Sequence, residues 1–223
     1  MAALYLSNYD RTDEALFAAD LEAKSQALLV HQGGQVVGFT TLHVYERKWN
    51  GSPIRVVYSG DTVVDRPHWG QQALAFTWIA HMGELKRQAP EIPLFWLLIV
   101  KGHRTYRYLP VFSKSFFPHW SVNRDDLKPL ADELAVEKFG HHYNPQTGVV
   151  EFTVSRGQLR SDIAFPKNGE LRHDAVRYFL DRNPNYLIGH ELVCLCELSE
   201  DNLKPLTRRI FCRGNPCIAP GCA

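Results

Sequence analysis

The spacing of apolar residues changes along the chain in an order that predicts a helix, an antiparallel meander and then a strand–helix–strand unit. Leu16, Phe17, Ala19 and Leu21 give a first helix its apolar face, with Thr12 or Asp13 as cap and Glu14 in the first turn. Ala27 to His31 and Gln35 to Tyr45 read as strands around Gly33-Gly34, a hairpin signal. Asn50-Gly51 is a second and stronger one, because both central residues of a type I′ turn need positive φ. Ile54 to Val64 is rich in β-branched residues and forms the third strand.

Beyond Pro67 the period lengthens. Gln71 to Gln88 is helical and closed by Pro90, with Ala73, Leu74, Phe76, Trp78 and Ile79 facing a core. Leu94 to Val100 is uniformly apolar, as a central strand covered on both faces requires. The two strands and the helix between them make a right-handed βαβ unit. Thr105 to Phe117 reads as helix interrupted by Pro110, Asp125 to Phe139 and Arg172 to Asp181 as helices, and Val149 to Val154 and Glu191 to Leu198 as strands. The expected fold is α/β: a mixed sheet flanked by helices, with antiparallel N-terminal strands, a central βαβ unit and a C-terminal α+β extension. Residues 1–120 form the expected core, 121–211 an extension completing it or packing on it, and 212–223 a tail.

Composition narrows the partners. Lys and Arg number 25 against 24 Asp and Glu, a net charge of +1, which gives no electrostatic reason to expect nucleic acid or an anionic membrane. The longest apolar run falls far short of the roughly 20 residues of a membrane span. The N-terminus lacks the basic start and apolar run of a signal peptide, so the expectation is a cytoplasmic protein. Five cysteines crowd the C-terminal part. Cys212, Cys217 and Cys222 are spaced too widely for a zinc site, and adjacent His141-His142 do not aim at one ion. No metal is expected.

The stretch Val64-Asp65-Arg66-Pro67-His68-Trp69-Gly70-Gln71-Gln72-Ala73-Leu74, set between strand and helix, resembles the pyrophosphate loop of the GNAT (general N-acetyltransferase-like) superfamily. The strings Ser59 to Thr62, Trp69 to Leu74 and His103 to Pro110 are similar to those of an uncharacterised bacterial branch of it. Gly70 matches the first glycine of the family loop. Trp69 stands in place of the usual Arg or Gln, Gln72 in place of the second glycine and Leu74 in place of the third. The resemblance implies an acyltransferase that takes its acyl group from acyl-CoA, or from an acyl carrier protein, and passes it to a small-molecule amine. It implies a donor site at Val63, Val64, Trp69, Gly70, Gln71, Gln72 and Ala73, with Lys101 at the place of a family Asn. The physical basis is a helix N-terminus whose free N–H groups receive phosphate oxygens. A side chain at Gln72 would crowd their approach.

Such chemistry needs a base for the amine and an acid for the thiolate. Asp61, on the strand entering the loop, is the candidate base; the plain alternative is a strand-end carboxylate bonded to nearby N–H groups. Tyr108 falls at the family's general-acid position, with Tyr106 as substitute if the register slips by two, and a core aromatic as the plain alternative. His103 suits a base or proton shuttle, or is an ordinary loop residue. Lys101, Arg104 and Arg107 form a basic cluster for a CoA phosphate or an acidic carrier, or a solvated face. A fold that has lost its cofactor is the non-catalytic alternative. Acceptor, acyl length and oligomeric state are not specified by these residues.

Overall fold

The computed structural model describes residues 1–213; Cys217 and Cys222, two of the three cysteines weighed above, lie outside them. In chain order its elements are α1 (Ala2–Leu6), β1 (Tyr9–Asp10), α2 (Glu14–Glu22), β2 (Gln26–Gln32), β3 (Gln35–Trp49), β4 (Ser52–Val64), α3 (Ala73–Gln88), β5 (Leu94–Val100), α4 (His103–Tyr106) and α5 (Tyr108–Phe112). There follow α6 (Lys128–Phe139), β6 (Tyr143–Asn144), β7 (Val149–Val150), β8 (Gln158–Leu159), α7 (Ser161–Ala164), α8 (Asp174–Arg182), β9 (Glu191–Glu197) and α9 (Pro205–Phe211).

Seven strands form one sheet in the order β2-β3-β4-β5-β9-β7-β6. Among the described residues only β4 and β5 pair in parallel, with α3 as the crossover between them. Two tight turns set the meander: Gly33 and Gly34 have φ of +57° and +80°, and Asn50 and Gly51 have +48° and +80°. The mixed α/β class, with a largely antiparallel sheet flanked by helices, is the one the apolar pattern predicts.

Side-chain alternation explains why β5 is apolar throughout. Leu94, Trp96, Leu98 and Val100 pack beneath α3, against Trp78, Ile79 and Met82. Phe95 and Leu97 point the other way, onto Leu130 and Leu134 of α6. Each such fully buried side chain is worth ~1.5–3 kcal/mol relative to exposure.

Other expectations shift. The strand expected over Val149 to Val154 ends at Val150, because Val150 meets Glu191, where β9 begins, and Tyr143, where β6 begins. Thr105 to Phe117 is not one helix broken at Pro110. It is α4 and α5, and Phe117 then exchanges 2.8 Å backbone hydrogen bonds with Leu195 of β9. β9 itself pairs antiparallel with β5 from Phe95↔Glu197 to Val100↔Leu192, so a late segment lies beside the centre of the sheet.

Candidate functional site

The site begins where two strands part. β4 and β5 pair as far as Ser59↔Leu98. β4 then continues on β3 alone, to Val64↔Gly38. At the parting Gly60 and Asp61 together oppose Thr41, a β-bulge that shifts the alternation of β4 by one residue. Before the bulge the Arg55 N–H points toward β5 and donates to Pro93 O at 2.9 Å. After it the Asp65 N–H points toward β3 and donates to Val37 O at 2.8 Å. By alternation, Thr62 and Val64 turn their backbone groups into the gap. The Trp69 indole N–H donates to Val64 O at 2.8 Å. The N–H groups of Thr62 and Val64 are left facing the gap, where an extended ligand can bond to them.

A cavity of about 340 Å³ lies on the loop side of the gap. Val63, Val64, Trp69, Gly70 and Gln71, of the residues expected at a donor site, line it, together with the catalytic candidates His103 and Tyr108. Gly70 turns the loop with a φ of +90°, a conformation that favours glycine. Gln72 and Ala73 are exposed and absent from the lining. Their place is structural: Gln72 caps α3, its carbonyl accepts from Phe76 N–H at 2.8 Å, and no side chain occupies the helix's free N–H groups.

The wall opposite Trp69 comes from α4. The Arg104 guanidinium stands 5.2 Å from the Trp69 ring centroid and bonds Glu170 at 3.0 Å. His103 is buried, with Nε2 3.3 Å from Glu170 Oε2 and Nδ1 without a partner among the described residues. Burial, and then the Arg104 charge, lower its pKa, so the ring is neutral at pH 7. Arg107 also reaches Glu170, at 3.7 Å. Arg104 and Arg107 therefore share one carboxylate, which offsets one of their two charges. Glu170 was not legible in the sequence, being 66 residues from Arg104 in an irregular stretch.

The two tyrosines separate cleanly. Tyr106 is fully buried and its hydroxyl donates to Pro118 O at 2.8 Å. Tyr108 packs on Phe112 at 5.4 Å and lines the cavity, and its hydroxyl bonds no described residue. Burial raises its pKa, which keeps it protonated.

A second, larger cavity of about 590 Å³ lies on the other side of the gap. Tyr9, Thr62, Gly102, Thr105 and Leu159 line both, so the two spaces adjoin. Asp61 lines the larger one, and burial, followed by repulsion from Asp20, pushes its pKa up to about 6. Lys101 also points here and not into the smaller cavity. Val100 faces α3, so alternation turns Lys101 to the opposite side of the sheet. There it pairs with Glu191 at 3.3 Å and donates to Arg156 O at 3.2 Å. Burial disfavours its charge, but Glu191 together with Tyr5 and Asp61 outweighs this and holds its pKa above the ordinary value. Glu191 went unassigned in the sequence, although a carboxylate opening an otherwise apolar strand was a visible signal.

Among the described residues no three His, Cys, Asp or Glu side chains converge as metal ligands, and no helix is long and apolar enough to cross a membrane.

No family model matches the chain, and no curated protein matches it. Among solved structures it is similar to a tyrosine-to-phenylalanine mutant of the AtaT toxin bound to the C-terminus of the antitoxin AtaR and acetyl-CoA, at 17% identity over 52% of this chain and 78% of that one, TM-score 0.35. It is similar to AtaT complexed with acetyl-methionyl-tRNAfMet, at 21% identity over 52% and 81%, TM-score 0.34. A KacTA–DNA complex is a third, at 21% identity over 47% and 74%, TM-score 0.31. Similarity of this degree fixes neither a site nor a substrate. Net charge averages over a whole surface, so a value of +1 does not by itself exclude a nucleic-acid partner.

Proposed function

We propose that the protein is an acyltransferase that moves an acyl group from acyl-CoA to an amine across the gap between β4 and β5. The observation that carries this reading is the paired arrangement of that gap. One adjoining cavity has open strand amides, the Gly70-Gln71 loop and a tyrosine hydroxyl without a partner among the described residues; the other has a carboxylate with a pKa of about 6.

The donor's extended pantetheine arm bonds the N–H groups of Thr62 and Val64, and its pyrophosphate meets the loop at Gly70 and Gln71 before α3. The amine enters from the larger cavity. Asp61, ionised at pH 7, takes a proton from the ammonium form, directly or through water, and frees the nitrogen lone pair. Nitrogen attacks the thioester carbonyl, the C–N bond forms, and the C–S bond breaks. Tyr108 gives its proton to the departing thiolate, the second proton on the attacking nitrogen returns through water to the resulting phenolate, and the products are an amide and CoA thiol. An acyl carrier protein delivers the same pantetheine arm, and the exposed rim at Trp69 leaves that donor open as the alternative.

The test is release of free thiol from acetyl-CoA, longer acyl-CoAs and an acylated carrier protein, each with a panel of amines. The reading requires amine-dependent release. Absence of release and of binding with every donor would leave a fold without the activity.

A further inference from the structure

The larger cavity holds more charge than the transfer step uses. Two of its ion pairs are closed within the protein: Lys24 with Asp20, and Lys101 with Glu191 at 3.3 Å. Each neutralises itself and has little left for a ligand. Three charged groups in the lining remain without an ion-pair partner among the described residues: Asp61, Lys138 from α6, and Arg156 between β7 and β8. The cations rest on aromatic faces instead, Lys138 Nζ at 4.1 Å from the Tyr58 ring and Arg156 Cζ at 5.2 Å from that of Phe152. Such faces hold a cation without cancelling its charge.

Lys138 is the more uncomfortable of the two. Burial and then the neighbouring Lys24 depress its pKa. Asp20 and Glu137 act the other way, but Asp20 is bound to Lys24 and Glu137 to Arg47. On the same lining, His142 Nδ1 is buried without a partner among the described residues. Two cations against one carboxylate leave the cavity a surplus positive charge, which a single anionic group on a ligand cancels. A space of about 590 Å³ suits a small molecule.

We infer that the acceptor is a small primary amine carrying its own carboxylate or phosphate, its nitrogen at Asp61 and its anion against Lys138 and Arg156. This rests on the acyl-transfer reading. Lys138 and Arg156 are then binding groups for the acceptor, and the donor cavity does not involve them.

The experiment compares matched amines: amino acids, phosphoethanolamine, amino-acid methyl esters and simple alkylamines. Turnover with acetyl-CoA is measured for the wild type, Lys138→Met and Arg156→Met. Calorimetric titration of the same amines without acetyl-CoA reads the cavity by itself. The expected result is a preference for the anionic amines, with carboxylate and phosphate arms identifying the source. In each variant KM for them rises roughly tenfold, while kcat changes less and the affinity for acetyl-CoA stays put. Equal use or equal binding of esters and alkylamines, or transfer only to amines on a peptide or RNA, would overturn it. A wild type that binds no acyl donor sinks the acyl-transfer reading, while the calorimetry still decides the cavity's preference.

Discussion

At the residue scale the account turns on two groups set on opposite sides of one gap. Asp61 has its pKa raised from 3.8 to about 6, so it is ionised at pH 7 and protonated below about pH 6. The rate, as kcat/KM, should fall as pH drops through 6, because a protonated carboxyl accepts no proton. Stability should move the other way. A folded pKa above the unfolded one means the native state binds more protons between pH 3.8 and 6, so stability falls as pH rises through that window. Asp61→Asn removes that cost and should raise the melting temperature by several degrees at pH 7.5, little at pH 4, from about 3 kcal/mol. The same variant should lose roughly 100-fold or more in kcat. A variant less stable at pH 7.5, or one as active as the wild type, would contradict the role. Tyr108→Phe deletes a hydroxyl that bonds no described residue, so its melting temperature should stay put. Its kcat should fall roughly 100-fold with the KM for acetyl-CoA within a few-fold. A large drop in melting temperature would identify Tyr108 as structural.

At the scale of elements, close approach matters more than propensity. Gly83 in α3 lies against α9, and a Cβ there would come within 1.9 Å of the Phe211 carbonyl oxygen, a backbone atom that cannot step aside. Gly83→Ala should therefore cost about 1–3 kcal/mol and lower the denaturation midpoint, although alanine is the better helix former. An unchanged midpoint would mean α9 does not dock as described. This contact also marks the limit of what the sequence disclosed. The meander, α3 and β5 were legible because Gly33-Gly34, Asn50-Gly51, Pro90 and an unbroken apolar run are local signals. Helix α9 and strands β1 and β8 were not, since Pro205–Phe211 is short and the two strands hold only each other. The bulge at Gly60-Asp61 was equally hidden, because it is a count of residues against a partner strand. So the stretch bearing the candidate site could be read, while the cavity each residue faces could not: Lys101 was expected with the donor and lines the larger cavity, and Gln72 was expected at the loop and lines neither.

At the scale of the whole molecule, early and late segments share one sheet and one buried charge pair. Lys101 at the end of β5 meets Glu191 at the start of β9, their side chains 12% and 9% exposed. Removing one partner strands the other charge, so Glu191→Gln should destabilise by roughly 3 kcal/mol by chemical denaturation, and a fragment of residues 1–120 should not unfold cooperatively. A fragment with a sharp transition would show that the core stands without β9. Both cavities belong to this combined body, since Leu159 and Ile163 help to line the donor side and Lys138 and Glu191 the acceptor side. The central claim is that the gap between β4 and β5 takes an acyl donor, and calorimetric titration of the intact protein with acetyl-CoA, longer acyl-CoAs and acylated carrier protein tests it most directly. The account predicts saturable binding of one donor per chain, weakened in Gly70→Val, where a branched side chain cannot adopt the turn at φ +90°. No heat with any of these donors, or binding untouched by that substitution, would contradict it.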